Sequence, residues 1–175
     1  RDRVSEGHFR GVNAAIFSPD STLVLTTSDD STARLWHAQT GVSAGVLQGH
    51  SGAVGSGKFS RDGTVVATAS VDRTARLWNV LSANCTHVLR GHHQPVASVT
   101  FCPRGIYIVT SSEDCAAKLW MAKTGKYVKT YHGHTEEVQG AEFSECGAWI
   151  VTAGLDNTAR VWSIDGNRCH QILWG

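Results

Sequence analysis

The pair Gly-His occurs four times in this chain, each time 42 residues after the last: Gly7-His8, Gly49-His50, Gly91-His92 and Gly133-His134. Phe17, Phe59, Phe101 and Phe143 keep the same spacing, as do Asp30, Asp72, Asp114 and Asp156, and Trp36, Trp78, Trp120 and Trp162. The segments ending at the tryptophans read DSTARLW, DRTARLW, DCAAKLW and DNTARVW. Four markers in register, with no insertion between copies, define a repeat. A repeat of this size restricts the chain to architectures in which like units stack and bury each other's faces.

Each copy divides into four short apolar stretches, here called strands a to d. In the first copy they run over residues 12–17, 23–27, 32–36 and 42–47. Turn chemistry separates them: Ser18-Pro19-Asp20-Ser21, Ser28-Asp29-Asp30-Ser31 and Thr40-Gly41. Val, Ile, Leu, Thr and aromatic residues fill the stretches. Nowhere does a 3.6-residue periodicity run long enough for a helix. Glycine is abundant at 18 residues and proline scarce at 3, which agrees with an all-β chain of short strands and tight turns.

Gly-His followed by Asp-x-Thr-Ala-Arg-Leu-Trp, at a period within roughly 40–45 residues, resembles the WD40 repeat. The resemblance covers His8 to Gly175. It departs from the family in one respect: the Trp-Asp pair is absent, and His37, Asn79, Met121 and Ser163 follow the four tryptophans. The Asp between strands b and c is kept in every copy. The fold implied is an all-β, WD40-type β-propeller with four blades of four antiparallel strands. Its repeats are about residues 8–49, 50–91, 92–133 and 134–175, with residues 1–7 ending a strand d of a preceding blade. Family propellers usually close with seven or eight blades, so the chain is expected to be part of a larger or double propeller. The alternative is that two such fragments pair into one eight-bladed ring.

The resemblance also implies a buried hydrogen-bond network in each blade. Its members are His8, Thr26, Asp30 and Trp36; His50, Thr68, Asp72 and Trp78; His92, Thr110, Asp114 and Trp120; His134, Thr152, Asp156 and Trp162. A blade is covered on both faces, so polar groups inside it must pair, and these can. Partner contact is implied at positions three and five after each Gly-His histidine and just before each turn Asp. These are Gly11, Asn13 and Asp29; Ala53, Gly55 and Val71; Pro95, Ala97 and Glu113; Glu137, Gln139 and Leu155. None of the twelve is Lys or Arg. Asp29, Glu113 and Glu137 surround a small apolar centre, which points to a basic or Arg-containing peptide.

Several segments imitate chemistry. His, Asp and Thr resemble a nucleophilic triad, but a catalytic site occurs once and this set occurs four times. Gly52 to Phe59 nearly matches a phosphate-binding loop, yet Phe59 stands where Ser or Thr would ligate Mg²⁺, and the segment aligns with strand a of the other copies. His92-His93 and His132-Gly133-His134 could imitate a metal site, but His92 and His134 are assigned to blades, while His93 and His132 sit at turns. Cys85 and Cys169 share one position in strand d and read as buried small hydrophobes. Trp174 stands where Gln48, Arg90 and His132 stand in other copies, and serves either packing on a further blade or contact with a partner.

Charged residues make up 18% of the chain and the formal net charge is +1, so no basic excess points to nucleic acid. No apolar run approaches the roughly 20 residues that span a bilayer. The start, Arg1-Asp2-Arg3-Val4-Ser5-Glu6, holds no apolar core of the signal-peptide kind. Five cysteines, an odd number without a C-x-x-C pair, fit a reducing compartment. The expectation is a non-enzymatic scaffold or adaptor that binds a protein or peptide within a multiprotein complex. No cofactor, metal, nucleic acid or membrane is expected. The expected location is intracellular and cytoplasmic, the alternatives being the nucleus or the cytoskeleton and cilium. The alternative function is a propeller that reads a charged ligand, such as a modified peptide or nucleic acid.

Overall fold

The computed structural model describes residues 7–166 and 168–175, and among these lie sixteen strands and no helix. The first sheet contains β1 (Val12–Phe17), β2 (Leu23–Ser28), β3 (Thr32–His37) and β4 (Ser43–Gln48). The second contains β5 (Val54–Phe59), β6 (Val65–Ser70), β7 (Thr74–Asn79) and β8 (Cys85–Arg90). The third contains β9 (Val96–Phe101), β10 (Tyr107–Ser112), β11 (Ala116–Met121) and β12 (Tyr127–His132). The fourth contains β13 (Val138–Phe143), β14 (Trp149–Gly154), β15 (Thr158–Ser163) and β16 (Cys169–Trp174). Each sheet is an antiparallel meander in chain order. In the first sheet the strands differ from the sequence expectation by one residue at four ends. Ser28 and His37 still pair, with Val12 and Leu23, whereas Val42 closes the β3–β4 hairpin by accepting from His37 N at 2.9 Å.

Successive sheets stack through their first strands. β5 packs on β1, β2 and β3; β9 packs on β5, β6 and β7; β13 packs on β9, β10 and β11. The core is therefore three inter-sheet layers. Leu25, Leu35 and Leu47 meet Val66 and Trp78 in the first. Leu77 and Leu89 meet Val99, Ile108 and Trp120 in the second. Val109, Leu119 and Tyr131 meet Ile150 and Trp162 in the third. Each fully buried Leu or Ile contributes about 1.5–3 kcal/mol through apolar area removed from water. The repeated glycine follows from this packing. A Cβ on Gly49 would lie 3.4 Å from the Trp78 ring and 2.7 Å from the Arg76 guanidinium, and one on Gly133 would lie 3.1 Å from the Trp162 ring.

Two sequence expectations need comment. The end of a preceding strand at residues 1–7 falls outside the described residues, except for Gly7, which lies in a bend. Cys85 and Cys169 are not the buried hydrophobes expected: Cys85 is exposed and Cys169 half-buried. Both open the outermost strand of a sheet: in β8 the buried residue is the fifth, Leu89, while Cys169 in β16 only partly covers the third inter-sheet layer.

The four equivalent positions in strand d test this packing. Leu89 is 1% exposed between two sheets, whereas Leu173 is 44% exposed. Leu89→Ala should cost about 2–5 kcal/mol in denaturant unfolding. Leu173→Ala should cost less than half of that, and equal losses would contradict the layered core.

Candidate functional site

In each sheet one threonine hydroxyl joins an indole to an imidazole. Trp36 Nε1 donates to Thr26 Oγ1 at 2.8 Å, and the same hydroxyl lies 2.8 Å from His8 Nε2. Thr68 stands 2.8 Å from both Trp78 Nε1 and His50 Nε2. Thr110 and Thr152 make the same two contacts, at 2.9 and 2.8 Å. A hydroxyl that accepts from the indole has its own proton to give, so His Nε2 is the acceptor. The ring proton therefore sits on Nδ1 and is donated to the turn aspartate. His8, His50 and His92 Nδ1 lie 2.8 Å from Asp30, Asp72 and Asp114 Oδ2. His134 Nδ1 lies 2.9 Å from both oxygens of Asp156.

Further hydroxyls, not singled out in the sequence, complete the arrangement. Thr32, Thr74 and Thr158 donate to Oδ1 of Asp30, Asp72 and Asp156 at 2.6, 2.6 and 2.7 Å. Ser28, Ser70 and Ser112 accept from the aspartate backbone N–H at 3.1 Å in the first three sheets. Their 42-residue spacing was a sufficient signal. The third sheet has Ala116 in place of the threonine, and there Asp114 Oδ1 is buried with no hydrogen-bond partner. The fourth has Gly154 in place of the serine, and a Cβ at that point would collide with the His134 ring and the Asp156 carboxylate.

These bonds set the charges. Burial pushes the carboxyls of Asp30, Asp72 and Asp114 up, but hydrogen bonds from Thr32 and His8, from Thr74 and His50, and from His92 outweigh it and hold each at about 2. Asp156 is also held below its ordinary value, against burial, by Thr158 and His134. Burial lowers the pKa of His50 further than Asp72 raises it, so its ring favours the neutral form. Thr68 and Thr110 have no exposed surface, and no substrate can reach such a hydroxyl. The segment that imitates a phosphate loop folds as β5. Among the described residues no three His, Cys, Asp or Glu side chains gather as metal ligands.

The aspartates stand beneath the end of the sheets that carries the loops into strand a and the turns between strands b and c. Asp29 N donates to Gly11 O at 3.0 Å, Val71 N to Ala53 O at 3.0 Å, Glu113 N to Pro95 O at 3.1 Å, and Leu155 N to Glu137 O at 2.9 Å. Loop and turn are thus tied together in every sheet. The other four candidate positions, Asn13, Gly55, Ala97 and Gln139, are extra residues in strand a where the register with strand b slips. Such β-bulges re-aim a side chain out of the pleat. Asn13 Nδ2 donates to Asp29 Oδ1 at 2.8 Å and to Val54 O of the next sheet at 3.1 Å. Gln139 Nε2 donates to Glu137 Oε2 at 3.1 Å. Glu113 is half-buried, and among the described residues no hydrogen bond or ion pair engages its carboxylate. The same loops also carry Arg10 and Arg73. Trp174 ends β16 with 77% of its surface exposed, beside Asn157 and Leu173.

A family model described as WD domain, G-beta repeat matches residues 2–37, 41–79, 83–121 and 125–163. The matched units are staggered against the sheets, since residues 41–79 contain β4 of the first sheet together with β5, β6 and β7 of the second. A comparison with curated proteins found no match.

Two predictions follow from the network. Asp72→Ala should lower stability by roughly 1–3 kcal/mol, because His50 and Thr74 lose a buried partner. Ala116→Thr should raise it by about 1 kcal/mol by giving Asp114 Oδ1 the donor it lacks. Thermal unfolding of the two variants measures both, and a destabilised Ala116→Thr would refute the account of the third sheet. Acidification gives a further test. A neutral His50 contributes stability in full above the ordinary value of 6.5 and loses it as pH falls below. The aspartates contribute above 3.8 and lose it as pH falls toward about 2. The melting temperature should therefore fall in two stages on acidification, and Asp72→Asn should shrink the second stage.

Proposed function

Because the chain belongs to the WD40-repeat family, whose repeats in general mediate protein–protein interaction, we propose that it is a non-enzymatic scaffold or adaptor within a multiprotein complex. Its partner contact is the end of the sheets that carries the strand a entry loops and the b–c turns. What supports this reading above all is Glu113, a half-buried carboxylate with no hydrogen bond of its own among the described residues, beside the small residues Pro95 and Ala97. Glu137 adds charge of the same sign on the adjacent fourth sheet, and Asp29 does so on the first. Ala53 and Gly55 leave room between them.

A peptide bearing arginine suits this chemistry. Its guanidinium forms charge-assisted, bidentate bonds with carboxylates, and like charge across the face speeds encounter. Reading of a nucleic acid or another anionic ligand would need cations, and none of the twelve face positions is Lys or Arg. An odd number of cysteines without a C-x-x-C pair supports a reducing, cytoplasmic setting for this scaffold.

The test is a double charge reversal, Glu113→Lys with Glu137→Lys. A fluorescein-labelled peptide of alternating arginine and alanine should bind the parent chain, and the variant should bind it at least about tenfold more weakly. Unchanged affinity with unchanged salt dependence would remove this face from consideration. A DNA oligonucleotide that bound instead, with affinity falling steeply as salt rises, would favour the nucleic-acid reading.

A further inference from the structure

At the opposite end of the sheets, a hollow of about 390 Å³ opens between the second and third sheets. Val65, Phe101, Pro103 and Ala122 supply its apolar lining. Arg61, Arg104 and Lys123 stand around it, all three exposed. Among the described residues, the ion pairs of Lys and Arg are Lys58–Glu142 and Arg160–Asp156, so none of these three cations is paired. The one carboxylate in the lining is engaged by its own turn: Asp62 Oδ1 accepts from Ser60 Oγ at 2.6 Å, Thr64 Oγ1 at 2.9 Å and Thr64 N at 3.1 Å. The rim keeps a net positive charge.

The repeat supplies an internal control. The same hollow recurs between the first and second sheets, 42 positions earlier, where Pro19, Asp62 and Leu81 take the places of Arg61, Arg104 and Lys123. At the corresponding positions between the third and fourth sheets stand Pro103, Cys146 and Asp165. The blade fold therefore asks for no cation at any of these places. The three occur together once, and they come from three separate turns.

We propose that this hollow is a second docking site, which takes an extended acidic peptide with an apolar anchor residue. The volume lies in the range of pockets that hold a few side chains. The apolar lining takes the anchor, and two arginine forks and a lysine take carboxylates on either side of it. The extended form follows from the neighbouring cleft. That cleft shares Arg61, Phe101 and Pro103 with the hollow and continues past Phe59 and Phe143, with Glu145 and the Glu142-paired Lys58 at its far end, so the peptide's carboxylates lie on the Arg61 side. The proposal does not rest on the acidic face, which lies at the other end of the sheets. With both sites in use, the chain joins two partners of opposite charge.

The experiment is fluorescence anisotropy on the full chain with a labelled peptide, Gly-Glu-Asp-Leu-Phe-Asp-Glu-Gly. Two controls replace its acidic residues by lysine or its Leu-Phe by Ala-Ala. The acidic apolar peptide should bind at least about tenfold more tightly than either control, and the more so at low salt. The exposed triple variant Arg61→Glu, Arg104→Glu, Lys123→Glu should lose that binding while melting as the parent does. Should that variant melt lower, Arg104→Asp alone, which restores the aspartate of the first two sheets, serves in its place and should weaken binding. Glu113→Lys with Glu137→Lys should leave the affinity in place, which separates failure here from failure of the acidic face. Equal binding of the lysine peptide, or retention by a folded triple variant, overturns the proposal. So does equal binding of the Ala-Ala peptide with displacement by millimolar inorganic phosphate, the mark of a bare anion site.

Discussion

A single buried hydroxyl in each sheet carries more of this structure than its size implies. Thr68 offers one proton and two lone pairs, and Trp78 and His50 take one of each. Without the threonine, the indole N–H and the imidazole nitrogen would both face an apolar layer, each at a cost of about 1–3 kcal/mol. The hydroxyl also decides which ring nitrogen of His50 holds the proton, and so makes His50 a donor to Asp72. The aspartate then accepts from Thr74 and from Ser51 N, which holds the b–c turn and the entry loop at one point. A chain of bonds beginning under the core tryptophan thus ends at the surface loops. Whatever those loops bind, they present it a rigid edge.

The sets differ in completeness, and the differences are local. The third sheet lacks the threonine after its aspartate, and the fourth lacks the serine before it. Neither loss disturbs the indole–hydroxyl–imidazole bonds, which keep lengths of 2.8–2.9 Å in all four sheets. In the fourth sheet the carboxylate turns so that both oxygens meet His134. The inner part of the network is satisfied in every sheet, whereas the outer part varies and in the third sheet leaves Asp114 Oδ1 without a partner.

The spacing of the repeat made the strands legible to within a residue, because turn residues flank every apolar stretch. The resemblance to the WD40 repeat, rather than the spacing, made the His, Thr, Asp and Trp residues legible as bonded sets. What stayed hidden is what residue type does not encode. The bulges at Asn13, Gly55, Ala97 and Gln139 share no residue type, so nothing in their sequence announces an extra residue in the strand. Arg73 and Cys115 adopt φ of +68° and +63° in their turns, a conformation imposed by the neighbouring aspartate bonds and favoured by neither side chain. Cys85 looked internal by its apolar character, but it opens an edge strand. Arg61, Arg104 and Lys123 are far apart in the chain and meet only because adjacent sheets bring separate turns together.

Repetition itself gives a way to tell scaffold from function in such a chain. A group needed for folding recurs at every copy, while one needed at a single place breaks the pattern there. The a–b hairpin shows the distinction: its side-chain tie weakens in both the third and the fourth sheet, where Cys146 and Ala148 replace the aspartate and threonine of the fourth, but only in the third does a cation take the aspartate's place. In the first two sheets it is tied by a serine, an aspartate and a threonine: Ser18, Asp20 and Thr22, then Ser60, Asp62 and Thr64. In the third these become Cys102, Arg104 and Ile106, and only the backbone bonds from Cys102 N to Tyr107 O and from Gly105 N to Cys102 O, each 2.8 Å, close the turn. Several side-chain hydrogen bonds, each worth about 0.5–1.5 kcal/mol, are absent there. A local loss of stability that leaves an unpaired cation at the mouth of an apolar hollow is the signature of a place kept for binding rather than for the fold.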